Sequence, residues 1–189
     1  MRQSNKITSI LVSFLYSVAL SGCTTIQLVS NYDEQTDNAA TQMEKDVSSF
    51  FVKLDSALTP AERSFQASQD FYQKQAVAIA AMKIRADAVP QNDLTSQQIQ
   101  LVNENLAYLA LLHKGCVTAA LTDTQRAAVH DKGIDASAAC RTAYGASVDL
   151  PNQSAATLNP AVAMLARQQI DIGLEAIIKF EMAKKRGAK

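Results

Sequence analysis

The spacing of apolar side chains between residues 36 and 58 constrains the fold of this chain more than any other feature. Apolar or small residues recur there at alternating intervals of three and four: Ala40, Met43, Val47, Phe50, Leu54 and Ala57. This spacing places them on one face of an α-helix and is typical of a helix packed in a bundle. Phe51 and Leu58 widen the stripe. We predict a first helix over about 36–58.

A second helix is predicted from its start signal. Thr59 suits the N-cap, Pro60 suits the first helical position, and Glu62 completes a capping box. Apolar or small residues then follow at helical spacing: Phe65, Phe71, Tyr72, Ala76, Ile79, Met82 and Ala86. Because the residue before a proline disfavours helical backbone, Pro90 should end this helix near residue 88. The predicted range is 60–88.

A third start signal follows directly. Thr95 and Gln98 form another capping box, and Leu94 suits a hydrophobic staple with Ile99. The stripe continues along one face: Ile99, Val102, Leu106, Leu109, and Leu112 or His113. Gly115 marks the end of a helix predicted over 96–114.

The last predicted helix, over 160–185, begins with Asn159 at the N-cap and Pro160 at the first position. Its stripe comprises Val162, Leu165, Ile170, Gly173, Ile177 and Phe180. Two pairs at i,i+4 spacing have the favourable acid-before-base order: Glu175 with Lys179, and Glu181 with Lys185.

These four segments predict an all-α fold. The chain has only 6 glycines and 4 prolines and no tryptophan, which suits helices better than a sandwich or barrel that needs frequent turns. Because short connections join the first three helices, we expect an antiparallel four-helix bundle. The segment 114–159 interrupts it, with short helices expected over 124–129 and 136–144. Irregular stretches of this length are usually functional or flexible.

The start of the chain follows a different pattern. Arg2 and Lys6 precede a mostly apolar stretch of 14 residues, 7–20, whereas a helix needs roughly 20 residues to cross a bilayer. A positive start and a short apolar stretch followed by small residues are typical of a secretory signal peptide.

The residues Leu20-Ser21-Gly22-Cys23 close this stretch, and they resemble the lipobox of bacterial lipoprotein precursors. The resemblance implies that the leader is cleaved before Cys23, that its thiol receives a diacylglyceryl group, and that the new amine is acylated, with chains such as palmitate. Two or more such chains anchor a protein stably. Thr24 does not match the aspartate that retains lipoproteins in the inner membrane. The resemblance therefore implies the outer membrane, facing the periplasm.

The chain then divides into a cleaved signal peptide (1–22), a polar lipidated tether (23–35) and a helical domain (36–189). Two cysteines remain in the domain, Cys116 and Cys140. In an oxidising periplasm such a pair is interpreted first as a disulfide, which would pin the segment between the third and fourth helices. The alternative is a zinc site that combines both cysteines with His113 and His130.

Other classes of function find little support. Removal of Arg2 and Lys6 with the leader reduces the 18 basic residues to 16 against 18 acidic ones, so no basic excess suggests nucleic acid. The chain contains no G-x-S-x-G motif, no C-x-x-C-H motif and no glycine-rich phosphate loop. We predict no catalytic residue, no metal site and no cofactor.

The basic C-terminus has two interpretations. It comprises Lys184, Lys185, Arg186 and Lys189. These cations can complement the negative end of the last helix, or they can contact anionic lipid or an acidic envelope polymer.

The sequence predicts a non-enzymatic lipoprotein that presents a surface, in the segment 114–159, to a partner protein in the cell envelope. The alternative is a carrier or sensor of a small apolar ligand, bound inside the bundle near Phe50, Tyr72, Leu106 and Phe180.

Overall fold

The structure is a computed structural model that describes residues 30–115, 122–131, 158 and 160–187. Its helices are α1 (Glu34–Ser56), a 3₁₀ turn (Gln66–Ser68), α2 (Gln69–Ala88), α3 (Asp93–His113), α4 (Asp123–Asp131) and α5 (Pro160–Gly187). No strand occurs within the described ranges. The all-α prediction is confirmed.

The helices pack around one hydrophobic core. Helix α5 lies against both α1 and α3, α2 lies against α1 and α3, and α4 lies against α3. Contacts between Asp33 and Arg85 and between Thr95 and Glu181 bring together the start of α1, the end of α2, the start of α3 and the end of α5. Consecutive long helices among α1, α2 and α3 therefore run in alternating directions.

Helix α1 follows the predicted pattern closely. Its N-cap is Asp33, whose carboxylate accepts hydrogen bonds from the Gln35 N–H at 3.1 Å and the Thr36 hydroxyl at 2.8 Å. The predicted stripe from Ala40 to Leu54, with Phe51, is buried. The prediction for Leu58 was wrong: this side chain is 93% exposed, because the helix ends before it.

The start of α2 differs from the prediction. The capping box forms, since the Glu62 N–H donates to Thr59 Oγ1 and the Thr59 N–H donates to Glu62 Oε2. It stabilises only a turn, however, and the α-helix begins at Gln69 after the 3₁₀ turn. The apolar stripe is also interrupted: Ala76 is exposed and its neighbour Gln75 is buried. The Gln75 amide is bonded to Asp46 of α1, which places a polar residue on the core face.

The connection to α3 shows a second difference. Val89 has extended backbone before Pro90, as expected from sterics, and Gln91 takes a left-handed conformation with φ 60°. Helix α3 then begins at Asp93, before Thr95, so the predicted N-cap was wrong. The staple was also wrong, because Leu94 is 57% exposed.

Helix α5 begins at Pro160 as predicted. Gly173 is buried, and a Cβ atom added there would lie 2.7 Å from Val102 Cγ2 of α3, so only glycine permits this approach of the two helices. Leu165 was assigned to the buried face but is 60% exposed. The short helix predicted over 124–129 is confirmed by α4, whereas the one over 136–144 lies outside the described residues.

Candidate functional site

The chain enters the helical domain through a short segment, 30–33, that is fixed by polar contacts. The Ser30 N–H donates to the Gln91 carbonyl at 3.3 Å, and the Ser30 hydroxyl donates to Asn92 Oδ1 at 2.9 Å. The Asp33 N–H donates to Glu181 Oε2 at 2.9 Å. Residues before α1 are thus bonded to the α2–α3 connection and to the end of α5.

A buried ion pair lies at the centre of these contacts. Glu181 is fully buried, and the Lys184 side chain is 5% exposed. The Lys184 ammonium donates to Glu181 Oε1 at 2.5 Å, to Asn92 Oδ1 at 2.6 Å and to Thr95 Oγ1 at 3.0 Å. The Thr95 hydroxyl in turn donates to Glu181 Oε1 at 3.1 Å. Such a pair is tolerated in a core because its remaining donors and acceptors are also bonded.

Arg85 completes this arrangement from α2. Its guanidinium donates to both carboxylate oxygens of Asp33, Nε to Oδ2 at 3.0 Å and Nη2 to Oδ1 at 2.8 Å. These bonds, with those from Thr36 and Gln35, lower the pKa of Asp33 to about 2. We call the group of Ser30, Asp33, Arg85, Asn92, Thr95, Glu181 and Lys184 the polar end of the molecule.

Sequence reasoning misassigned several members of the polar end. Glu181 pairs with Lys184 rather than with Lys185, whose ammonium lies 4.9 Å from the centre of the Tyr32 ring. Lys184 is therefore not free to contact lipid. The sequence did contain a signal that Glu181 is buried, because this residue continues the 3-4 spacing of the buried Leu174 and Ile177. The pair Glu175–Lys179 forms as predicted, at 2.6 Å on the surface.

At the ends of α1, α2 and α3 that lie away from the polar end, aromatic rings pack against one another. The group comprises Phe50, Phe51, Phe65, Phe71, Tyr72 and His113, and we call it the aromatic end. The Phe50 and Phe71 rings stack with centres 4.0 Å apart. The Phe65 and Tyr72 rings stack at 5.1 Å. Ring contacts of this kind add to the burial of apolar area.

His113 is fully buried among these rings and both ring nitrogens are bonded. Its Nε2 lies 2.9 Å from the Arg63 carbonyl oxygen, and its Nδ1 lies 2.9 Å from the Tyr72 hydroxyl. Because a carbonyl can only accept, the proton is on Nε2, and Nδ1 accepts from Tyr72. Burial lowers the pKa of His113. The geometry is that of a neutral core histidine.

A surface groove adjoins the aromatic end between α1 and the start of α2. Its volume is about 310 Å³. It is lined by Asp46, Ser49, Phe50, Lys53, Ala67, Ser68, Asp70, Phe71, Lys74 and Gln75. Of the four residues suggested for an interior pocket, Phe50 contributes to this groove. Tyr72 and Leu106 are packed in the core, and Phe180 is partly exposed on α5.

The remaining predicted site residues are placed as follows. Cys23, Cys116 and Cys140 lie outside the described residues, so neither lipidation nor the disulfide is addressed by the geometry. His130 lies on the exposed side of α4. Within the described ranges, no group of three or more His, Cys, Asp or Glu residues is arranged to hold a metal ion.

Comparison with protein-family models, with curated proteins and with solved structures finds no match for this chain. Among the described helices, none combines the length and the apolar character that crossing a membrane requires.

Proposed function

We propose that this protein is a non-enzymatic lipoprotein of the cell envelope. Lipid on Cys23 holds it at the periplasmic face of the outer membrane, and the helical domain presents a binding surface to a periplasmic or outer-membrane protein. The observation that supports this best is the fixing of segment 30–33 by the polar end.

The length of chain before this segment gives the domain an orientation. From Cys23 to Ser30 there are seven peptide steps, which span at most about 25 Å when fully extended. The polar end therefore stays close to the membrane surface. The aromatic end and its groove, at the far ends of α1, α2 and α3, face away from it.

For the fold we propose an antiparallel four-helix bundle of α1, α2, α3 and α5. The meeting of alternate helix ends at the polar end supports this arrangement. A disulfide between Cys116 and Cys140 would pin the segment that follows α3. Under the chain-entropy description, a loop of this size contributes roughly 3–4 kcal/mol to stability. Peptide mapping of the unreduced protein should find the two cysteines in one linked fragment.

The described part of the proposed binding segment is anchored to the domain. Thr122 and Gln125 form a reciprocal capping box at the start of α4, with bonds of 3.1 and 3.2 Å. Ala128 and Val129 are buried in the core. The opposite face of α4 is exposed and carries Asp123, Thr124, Arg126 and Ala127. An ordered helix that presents polar residues on an anchored segment is suited to binding a protein.

Lipidation is tested by growing Gram-negative cells that express the full chain with an alkyne analogue of palmitate. We expect label on the wild-type protein, and on the Cys116→Ser and Cys140→Ser variants as matched controls. The Cys23→Ser variant should be unlabelled and should leave the membrane fraction. Label that persists in Cys23→Ser, or that is absent from the wild type, would refute the anchor.

The binding surface is tested by placing a photo-crosslinking amino acid at Thr124 or Ala127 in intact cells. Val77 and Ile84, which are each 71% exposed on α2, serve as matched positions elsewhere. We expect a discrete protein adduct from the α4 positions and none from the α2 positions. Equal adducts from both surfaces, or none from α4, would contradict the assignment.

A second candidate is a carrier or sensor of a small ligand, and one specific observation favours it. The groove beside the aromatic end has a volume of about 310 Å³, which lies at the lower end of the range for small-molecule sites. Its lining is more polar than an apolar ligand requires, since four of the lining side chains are charged.

A further inference from the structure

The groove between α1 and α2 carries an apolar floor within a charged rim. Phe71 is partly exposed and is backed by the buried Phe50, whose ring is parallel to it within 3°. Ala67 extends the apolar surface. Ser49 and Ser68 add hydroxyl groups. A ligand in this groove can therefore place an apolar group on Phe71 while its polar atoms remain at the rim.

Four charged side chains form the rim: Asp46, Lys53, Asp70 and Lys74. Two of them, Asp46 and Lys74, neutralise each other. Lys74 donates to Asp46, with Nζ 2.8 Å from Oδ2 and 2.9 Å from Oδ1. Burial alone would raise the pKa of Asp46, but the bonds from Lys74, Gln42 and Gln75 outweigh it and lower that pKa. Asp46 is thus an ionised carboxylate that already has its partners.

The other two rim charges, Lys53 and Asp70, have opposite signs. Neither the Lys53 ammonium nor the Asp70 carboxylate has a hydrogen-bond or ion-pair partner among the described residues. One stands on α1 and the other on the first turn of α2. The groove therefore offers a free cation on one wall and a free anion on the other.

Gln75 supplies a third polar contact. The residue is 1% exposed, and its Oε1 has no hydrogen-bond partner in the part of the chain that the structure describes. Its Nε2 donates to Asp46 Oδ2 at 3.4 Å. This bond fixes the orientation of the amide, because a flipped amide would place its oxygen against the Asp46 oxygen, and both atoms are acceptors. An unpaired buried acceptor is costly. A donor N–H or O–H from a ligand would satisfy it.

We propose that this groove binds a small zwitterionic peptide, with its ammonium at Asp70, its carboxylate at Lys53, an N–H group at Gln75 Oε1 and an apolar side chain on Phe71. A net charge of zero on the rim, from two acidic and two basic side chains, disfavours a simple anion or cation. The volume of about 310 Å³ lies at the lower end of the range for small-molecule sites, so the smallest zwitterionic peptide, a dipeptide, is the probe to use. The inference does not depend on lipidation of Cys23.

The probe is the dipeptide L-alanyl-L-phenylalanine, used with its N-acetyl form and its C-terminal amide. Binding to the full chain in detergent is measured by ligand-observed NMR titration. We expect saturable binding of the free dipeptide. Each blocked form should bind about two- to fivefold more weakly, the range expected when one solvent-exposed ion pair is lost.

Variants assign each contact. In Lys53→Gln the amide should bind as well as the free peptide, and in Asp70→Asn the N-acetyl form should bind as well as the free peptide. Lys45→Gln and Asp55→Asn change exposed charges that do not line the groove and should retain the wild-type preferences. Gln75→Met should weaken all three probes by about tenfold, because it removes the acceptor for the peptide N–H. It also removes the 3.4 Å bond from Gln75 Nε2 to Asp46, so its unfolding temperature is measured beside its binding.

Failure of the free dipeptide to bind saturably would overturn the proposal. So would equal affinities for the free and blocked forms in the wild type, which would indicate apolar contact alone. If Gln75→Met does not fold, the surface variants Lys53→Gln and Asp70→Asn decide the matter. The palmitate-labelling experiment is unaffected by any of these results, so this inference and the lipid anchor can fail separately.

Discussion

The two ends of the long helices are stabilised by opposite kinds of interaction. At the polar end, a buried carboxylate and a buried ammonium join four chain segments through short hydrogen bonds. At the aromatic end, stacked rings surround a neutral histidine. Charged groups in a core depend on every partner being present, whereas apolar contacts are spread over many atoms. The polar end should therefore respond far more sharply to the loss of one group.

The largest effect is expected from Glu181→Leu. It leaves the Lys184 ammonium buried without its anion, which typically costs about 3–5 kcal/mol of unfolding free energy. The double variant Glu181→Leu/Lys184→Leu should be more stable than this single variant, because no unpaired charge remains. Chemical denaturation measures both. Glu175→Gln, in the exposed pair with Lys179, is the control and should change stability by no more than about 0.5 kcal/mol. A double variant as unstable as Glu181→Leu would contradict the buried-charge explanation.

A smaller effect is expected at the aromatic end from Tyr72→Phe. The ring contacts remain, but His113 Nδ1 loses its donor, at a cost of about 1–2 kcal/mol. Tyr108→Phe is the matched control, since the Tyr108 hydroxyl forms no hydrogen bond to any of the described residues. Denaturation midpoints should rank wild type and Tyr108→Phe above Tyr72→Phe. Equal stability of both variants would show that the His113 bond contributes nothing.

Mild acid should weaken the aromatic end first. Burial lowers the pKa of His113 below the value of about 6.5 that it has in the unfolded chain. Between the two values the unfolded chain binds more protons, so stability falls as pH falls below about 6.5. In His113→Gln the unfolding free energy should depend less on pH between pH 7 and 5. An unchanged dependence in this variant would mean that another group titrates there.

The polar end should lose stability only in stronger acid. The bonds from Arg85 lower the pKa of Asp33 from 3.8 to about 2. A carboxylate with a lowered pKa stabilises the fold above its unfolded value, and this contribution disappears as pH falls from about 4 towards 2. Arg85→Gln should reduce that acid-dependent loss. Lys83→Gln is the control, because it removes only the exposed pair with Asp87. The measurement is an acid titration of the helical circular-dichroism signal of the wild type and both variants.

Local sequence patterns predicted the helices better than they predicted polar burial. The stripe of α1 from Ala40 to Leu54 and the proline start of α5 were correct, because both depend on neighbours within a few residues. Thr95 was taken for an N-cap because capping boxes are recognised from four residues alone. Its hydroxyl is instead bonded to Glu181, 86 residues away. No local pattern contains that information.

The groove could be anticipated only in part. Phe50 was named as a residue near a ligand pocket, but Lys53 and Asp70 have the spacing of ordinary exposed helix residues. Gln75 was missed because its neighbour Ala76 has the helical spacing of the apolar stripe, and an alanine is more commonly buried in a core than a glutamine. The hydrogen bond to Asp46 reverses this preference, and it exists only once α1 and α2 are packed together.

By itself, the sequence determined that the described chain is helical and where most helices lie, because helix periodicity and proline stops act over a few residues. Only the tertiary structure decided which polar groups are buried. The Asp33 N–H and Glu181 are 148 residues apart, and burial of a charge is tolerated only where such distant partners converge. For the same reason, the groove and its buried Gln75 side chain exist only once α1 is packed on α2.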